Sequence, residues 1–205
     1  GRNPPALCLW SRQCYLGTMR KDALYKPITV EEFLAIDFPS DRKYELVDGV
    51  IRSMTGGTPA HSRVSSNILA FLRTKLRGTG CRPYNSDMGV RVTDTDVRYP
   101  DVAVYCGNPA NREREEERVF TDPVVIFEVL SPSTTRNDEG EKLGQYRHLP
   151  SLDTIVFVDP EAETARVMQR LGPQSWRDDL FAQPHDVMLP ALDVTIPHTE
   201  IFTRD

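Results

Sequence analysis

The chain has 205 residues and a formal net charge of −5, and its 39% hydrophobic and 27% charged residues are ordinary for a soluble globular protein. Its longest apolar run, VVIFEVL at residues 124–130, is shorter than the roughly 18 to 20 residues that span a bilayer, so we expect no membrane anchor. The negative charge disfavours tight, non-specific binding to duplex DNA, although it does not exclude a local basic face.

The ends and the cysteines suggest a simple organisation. Residues 1–18 have neither helical nor strand periodicity, so we interpret them as a leader or extension and 19–205 as a single domain. The four cysteines, Cys8, Cys14, Cys81 and Cys106, form no CxxC pair and have no metal-ligand spacing. We therefore predict reduced thiols and a cytoplasmic location.

The domain begins with clear helix and turn signals. Thr29 and Glu32 have the spacing of a capping box, which predicts a short helix through about Asp37. Alternating residues around Asp48 and Gly49 predict a β-hairpin over 44–54. Thr58 and Pro59 then start the main helix, whose apolar residues recur at helical spacing until Gly78 and Gly80.

The remainder alternates strands with one further helix. Predicted strands cover 82–85, 88–93, 99–105, 124–130, 154–158 and 165–170, with closing segments at 176–182 and 194–202. A solvated, charged loop is predicted at 111–118 and a short helix over 138–148. The pattern predicts an α/β (α+β) fold in which one long helix packs across a mixed, curved sheet and a short helix follows the central strand.

Two acidic residues stand in unusual places in these strands. Asp101 follows Pro100 at the start of a buried strand, and Glu128 lies within the most apolar run. If the two strands are neighbours, the carboxylates converge and repel one another unless a cation neutralises them. Mg²⁺ suits such a pair, because it takes one or two carboxylates and keeps several waters. A purely structural role for the pair is the alternative.

Four motifs together resemble the Uma2 family of restriction-endonuclease-like proteins, a branch of the PD-(D/E)XK nuclease superfamily. They are YELVDGVI, TPAHSRVSSNILAFL, PDVAVY and VVIFEVLSPSTTRNDEGEKLGQY, and the resemblance extends over about residues 28–202. It implies a restriction-endonuclease-like fold and a nuclease that uses Mg²⁺ or Mn²⁺. In that interpretation Asp101 and Glu128 bind the metal.

The superfamily pattern also places a lysine two residues after the glutamate, where this chain has Leu130. The resemblance implies that Lys142, early in the following helix, replaces it and activates or positions water. An ordinary surface lysine is the alternative. Tyr146, four residues later, would share its helix face and contact the substrate.

Two further residues are candidates with open alternatives. Glu45 in the hairpin is either a solvent-facing strand residue or, as the resemblance implies, a third carboxylate with a catalytic role. His61 in the first turn of the main helix either bonds a local backbone group, or contacts a substrate phosphate or the acidic residues of the cleft near the positive end of the helix dipole.

The leading hypothesis is a Mg²⁺-dependent endonuclease that hydrolyses DNA, acting as a homodimer by analogy with restriction-type nucleases. The rival is a catalytically inactive nuclease-fold module that binds DNA or protein, which Leu130 and the acidic charge favour. A third, weaker hypothesis is hydrolysis of a small phosphodiester or nucleotide.

Overall fold

The computed structural model describes residues 26–54, 56–107, 117–131 and 136–204, with the backbone alone for 136–138. The predicted leader, Cys8, Cys14 and most of the predicted charged loop lie outside these residues. The helices are α1 (Val30–Leu34), α2 (Pro59–Lys75), α3 (Arg136–Tyr146) and α4 (His198–Phe202). The strands are β1 (Tyr44–Val47), β2 (Val50–Ser53), β3 (Cys81–Asn85), β4 (Gly89–Thr93), β5 (Asp96–Arg98), β6 (Val102–Cys106), β7 (Val119–Phe120), β8 (Pro123–Val129), β9 (Thr154–Asp159), β10 (Thr164–Gly172), β11 (Ser175–Phe181), β12 (Val187–Leu189) and β13 (Val194–Ile196).

The strands form two main sheets and one small ribbon. The first sheet has the order β2-β1-β5-β4-β7, and the second has the order β11-β10-β9-β8-β6-β3. In the second sheet β8 and β9 are parallel, while the other neighbouring strands are antiparallel. A sheet of this mixed kind agrees with the predicted fold class.

The N-terminal signals are confirmed locally. Thr29 and Glu32 form the capping box of α1, although this helix ends at Leu34 and not near Asp37. The β1–β2 turn places Asp48 at φ 50° and Gly49 at φ 73°, as a type I′ turn requires. A Cβ on Gly49 would lie 2.4 Å from the Cβ of Pro27, so glycine is also needed for the close approach of this segment.

The long helix α2 packs on one face of the second sheet. Its residues Val64, Ile68 and Leu72 have no exposed surface, and they join a core cluster with β6, β8, β9 and α4 residues. Thr58 caps the helix and Pro59 occupies its first turn. The predicted main helix is therefore confirmed, and its first turn points the side chain of His61 towards the sheet.

The shorter helix α3 belongs to a second core cluster. Leu143 and Tyr146 pack there with Ile126 of β8 and with Ile155 and Phe157 of β9. Because β8 and α3 follow one another in the chain, this packing folds the helix back over the strand that carries Glu128. The helix spans 136–146 and not the predicted 138–148.

Three details of the strand prediction are wrong. The predicted strand 99–105 begins only at Val102, as β6, because Pro100 cannot donate a ladder hydrogen bond. Strand β5 ends at Arg98, before the proline, and belongs to the other sheet. The three short strands β5, β7 and β12 were not predicted. The closing segment 194–202 divides into β13 and α4.

The prediction of reduced thiols is wrong for one pair of cysteines. Cys81 of β3 and Cys106 of β6 are register partners on neighbouring antiparallel strands, and they form a disulfide. Their separation of 25 residues gave no signal in the sequence, since only the strand pairing brings them together. Cysteine usage therefore no longer supports the predicted cytoplasmic location.

In the part of the chain that the structure describes, no helix is both long and apolar enough to cross a membrane.

Candidate active site

A polar cleft of about 700 Å³ lies where the hairpin, the start of α2, the ends of β6 and β8, and α3 come together. Glu45, His61, Asp101, Glu128 and Lys142 all line it. Five of the six residues singled out in the sequence therefore face one space. The sixth, Tyr146, is completely buried behind Glu128.

Glu128 lies near the C-terminal end of β8, and only 5% of its surface is exposed. Its Oε1 accepts a hydrogen bond of 2.7 Å from the Tyr146 hydroxyl, and its Oε2 accepts one of 2.7 Å from Lys142 Nζ. Burial raises the pKa of Glu128, and the nearby charge of Asp101 adds to this, whereas Lys142 opposes it. This buried acid therefore has a partner on each oxygen.

Both partners come from α3. Lys142 and Tyr146 are four residues apart and lie on the same helix face. Burial disfavours the charged form of Lys142, but the carboxylates of Glu128, Glu45 and Asp101 outweigh it, so its pKa is raised. An ammonium group therefore stands beside Glu128, and the alternative of an ordinary surface lysine is wrong for this structure.

Leu130 occupies the position at which the superfamily pattern has lysine. Its backbone N–H donates to Val158 O at 2.7 Å, and its half-buried side chain packs against the second core cluster. The hydrophobic residue is therefore part of the packing between β8 and β9.

Asp101 holds the other side of the cleft. Its Oδ2 accepts a 2.7 Å hydrogen bond from the Val129 N–H, and its Oδ1 lies 3.1 Å from His61 Nε2. Strands β6 and β8 are antiparallel neighbours in which Val102 pairs with Phe127, so Asp101 and Glu128 are at the same end of the pair. The predicted neighbourhood of the two acids is confirmed.

The ring of His61 contacts an acidic residue of the cleft, which was one of the alternatives that the sequence left open. The backbone N–H of His61 donates to the Thr58 hydroxyl at 3.2 Å, as part of the helix cap, while its ring contacts Asp101. The hydrogen bond to Asp101 raises the pKa of His61. Gly57 makes room for the ring, since a Cβ there would lie 2.5 Å from His61 Nδ1.

Glu45 faces the cleft, with 16% of its side chain exposed, so the solvent-facing interpretation is wrong. Its Oε1 accepts a 2.9 Å hydrogen bond from Nη1 of Arg98 on β5. The Arg98 side chain is only 2% exposed, and its Nε donates to Gln145 Oε1 at 2.7 Å. The hairpin, β5 and α3 are thus joined through one guanidinium.

Arg98 and the polar residues around it were not predicted from the sequence. Gln145 also donates to the buried Asp96 at 2.8 Å, and Glu141 lies between Arg98 and Arg52, with its carboxylate oxygens 3.4 and 3.0 Å from their guanidinium nitrogens. The available signal was an arginine in the otherwise buried strand 96–98. A buried cation requires an acidic partner, and the partner could have been sought among the nearby acids.

The donor set fits a hard cation of the Mg²⁺ type. Asp101 and Glu128 supply carboxylate oxygens with free lone pairs, and the polar cleft has room for waters and for a phosphate. Among the residues that the structure describes, no group of three or more His, Cys, Asp or Glu side chains is arranged to hold a metal ion. A cation bound by two carboxylates and waters needs no such cage, whereas a closed Zn²⁺ site would.

Two proteins of Synechocystis sp. are similar to this chain. Uncharacterized protein slr1290 is 34% identical over 137 residues, which are 66% of this chain and 70% of its own length. Uncharacterized protein sll1609 is 28% identical over 155 residues, 75% of this chain and 87% of its own.

A solved structure shares the fold. It is described as a "putative nuclease belonging to DUF820" from Anabaena variabilis, and it matches with a TM-score of 0.70 at 21% identity over 86% of this chain and 98% of its own. At that identity the likeness shows the fold alone, and it confirms the predicted restriction-endonuclease-like architecture. The family model described as "Putative restriction endonuclease" matches residues 30–197. The chain therefore belongs to the Uma2 family.

Proposed function

We propose that this protein is a nuclease that hydrolyses phosphodiester bonds in DNA with the help of Mg²⁺ or Mn²⁺. The observation that carries the proposal is the contact between Lys142 and Glu128, in a cleft that also holds Asp101. The family description and the nuclease description of the structural neighbour support it.

Asp101 and Glu128 are the residues that would hold the cation. When bound, such an ion polarises a phosphoryl oxygen and lowers the pKa of a coordinated water. Both carboxylates are held in place by protein groups: Asp101 by the Val129 N–H and His61, and Glu128 by Tyr146 and Lys142. This fixes the carboxylates before any ligand arrives, which reduces the reorganisation that binding requires.

Lys142 would act as a cation and hydrogen-bond donor. Because Lys142 Nζ lies 2.7 Å from Glu128 Oε2 at the cleft, we propose that it positions the attacking water and stabilises the charge that develops on the phosphate. An ammonium has three donors, and Glu128 uses one of them, so two remain for water or phosphate.

The remaining residues would bind or position. His61 stands at the start of α2, where the helix dipole favours an anion, and we propose that it contacts a substrate phosphate. Tyr146 was predicted to contact substrate, but its complete burial corrects this, and we assign it the positioning of Glu128. Glu45 is held by Arg98 at the cleft wall and would add negative charge near Lys142.

The inactive-module alternative rests on Leu130 and on the acidic net charge. The contact of Lys142 with Glu128 speaks against the first of these arguments, because another element brings a cation to the cleft. An enzyme that cuts both strands of a duplex needs two clefts of this kind, and each chain supplies one. We therefore propose a homodimer. Light scattering on the purified protein measures its oligomeric state.

The direct test is cleavage of supercoiled plasmid DNA by the wild type and by Asp101→Asn. We expect nicking with Mg²⁺ or Mn²⁺, no nicking with EDTA, and a loss of activity in the variant. Isothermal calorimetry with Mn²⁺ alone should show weaker binding to Asp101→Asn than to the wild type. Metal-independent cleavage, or equal Mn²⁺ binding by both proteins, would exclude the assigned site.

A further inference from the structure

A second pocket, of about 160 Å³, adjoins the candidate active-site cleft and is lined by aromatic rings. We call it the aromatic pocket and define it by Phe38, Tyr44 and Tyr99, with Arg42, Lys43 and Arg118 also lining it. No step of the proposed hydrolysis uses any of these residues.

The aromatic wall of the pocket is supported from behind. The rings of Phe38 and Tyr44 are stacked, with centroids 4.5 Å apart and planes inclined by 21°. Phe33, which is 2% exposed, packs against Phe38 with centroids 5.2 Å apart and anchors it to the core of the first sheet. A planar ligand would therefore meet a ring that the core already holds in place.

The charge of the pocket favours an anionic ligand. Three cationic side chains and a single carboxylate, Asp87, line it. Lys43 forms an ion pair with Asp87, which leaves Arg42 and Arg118 as the cations not paired to a lining acid. Arg118 is fixed by its 3.0 Å hydrogen bond to Leu34 O and stays exposed.

The pocket is continuous with the cleft that contains Glu128. Arg42, Lys43, Ser86 and Tyr99 line both spaces. Tyr99 precedes Asp101 by two residues, so the chain between them spans at most about 7 Å. A nucleotide that occupied the pocket would therefore be a near neighbour of a phosphate bound at Asp101.

We infer that the aromatic pocket binds an unpaired base of the DNA, next to the phosphodiester that is cleaved. The inference rests on the proposed function and adds a substrate preference to it. Bases offer a flat π-face that stacks on aromatic side chains, and the phosphates beside them are attracted to arginine. A base inside a duplex is stacked on its neighbours and cannot enter such a pocket without being extruded. The protein should therefore prefer DNA with an unpaired segment.

Fluorescence anisotropy in EDTA tests this independently of cleavage. The probes are a labelled, fully paired duplex and the same duplex with a short unpaired segment. We expect the wild type to bind the second probe more tightly, and Phe38→Leu to lose about fivefold or more of that affinity, as the loss of one base–aromatic stack predicts. The paired duplex should bind both proteins equally. Phe181→Leu is the matched control. Phe181 lies on the remote strand β11, is also partly buried, and stacks on the ring of His185.

Arg118→Gln is a second variant in case Phe38→Leu does not fold. It should weaken binding of the unpaired segment and reduce the dependence of affinity on salt. The inference is overturned if both variants fold and bind the probe with the unpaired segment as tightly as the wild type does. It is also overturned if the wild type binds the two probes equally. Plasmid cleavage by the wild type separates the two proposals: if the plasmid is cut, only the pocket assignment has failed, and if DNA is neither bound nor cut, the proposed function has failed with it.

Discussion

Lys142 Nζ lies 2.7 Å from Glu128 Oε2, although the two residues are 14 positions apart and belong to different elements. In the superfamily pattern the lysine would extend from the same strand as the acid, two residues further on, at the position of Leu130. Here the helix that follows the strand places an ammonium group beside Glu128, and we propose that this lysine takes the same role.

Replacing Lys142 by methionine should reduce DNA cleavage by about 100-fold or more, because a preorganised donor to the developing negative charge is lost. Methionine keeps most of the apolar stem. Initial rates on supercoiled plasmid at saturating Mg²⁺ measure the effect. Lys75→Met, at the exposed C-terminal end of α2, is the matched control and should cleave at the wild-type rate. A Lys142→Met protein with undiminished rates would show that Lys142 has no catalytic role.

Replacing Tyr146 by phenylalanine should lower the free energy of unfolding by about 1.5–3 kcal/mol, because Glu128 is buried and loses the hydroxyl that donates to Oε1. Urea titration followed by circular dichroism measures it. Tyr84→Phe removes the hydroxyl of a tyrosine whose ring packs on Phe120, away from Glu128, and should change stability less. In combination with Glu128→Gln, the effect of Tyr146→Phe should shrink; two independent, additive losses would argue against the contact.

Replacing Arg98 by leucine should destabilise the fold by about 3–5 kcal/mol, because the side chain is 2% exposed and its removal leaves Glu45 and Gln145 without their partner. Thermal unfolding measures the change. Adding Glu45→Leu should restore part of the stability, since the unpaired acid is then also gone. If the double variant loses more stability than the two single variants lose together, the ion pair is not what stabilises this region.

The disulfide between Cys81 and Cys106 should appear as a linked peptide in a non-reducing digest analysed by mass spectrometry. Cys81→Ser should lower stability in oxidising buffer by about 3.5 kcal/mol, the loop-entropy value for a closed loop of this length. In excess reductant the difference between variant and wild type should become much smaller. Equal stability in both buffers would mean that the two thiols are not linked in solution.

Local signals in the sequence predicted the elements on which the cleft is built. The capping box at Thr29 and Glu32, the turn at Asp48 and Gly49, and the apolar spacing of α2 depend on near neighbours in the chain, and each is present in the structure. Strand β5 was missed because the three residues 96–98 are too short a run to show strand alternation, and β6 begins three residues later than predicted because of the proline.

The contacts around the acidic residues could be predicted from the sequence only in part. The convergence of Asp101 and Glu128 followed once the two strands were assumed to be neighbours, and the pairing of Val102 with Phe127 confirms that assumption. The prediction that Lys142 replaces the lysine missing at position 130 depended on the family resemblance. Arg98, which holds Glu45 and Gln145, had no sequence motif at all, because its partners come from β1 and from α3.

The sequence by itself determined the local elements, the family and the residues from which a cation site can be built, because hydrophobic spacing, turn chemistry and motif order are properties of neighbouring residues. Only the tertiary structure decided which groups satisfy Glu128, where Arg98 pairs, that Cys81 meets Cys106, and that an aromatic pocket adjoins the cleft. These depend on strand register and on how α3 folds back over β8, which are set by the burial of side chains far apart in the chain.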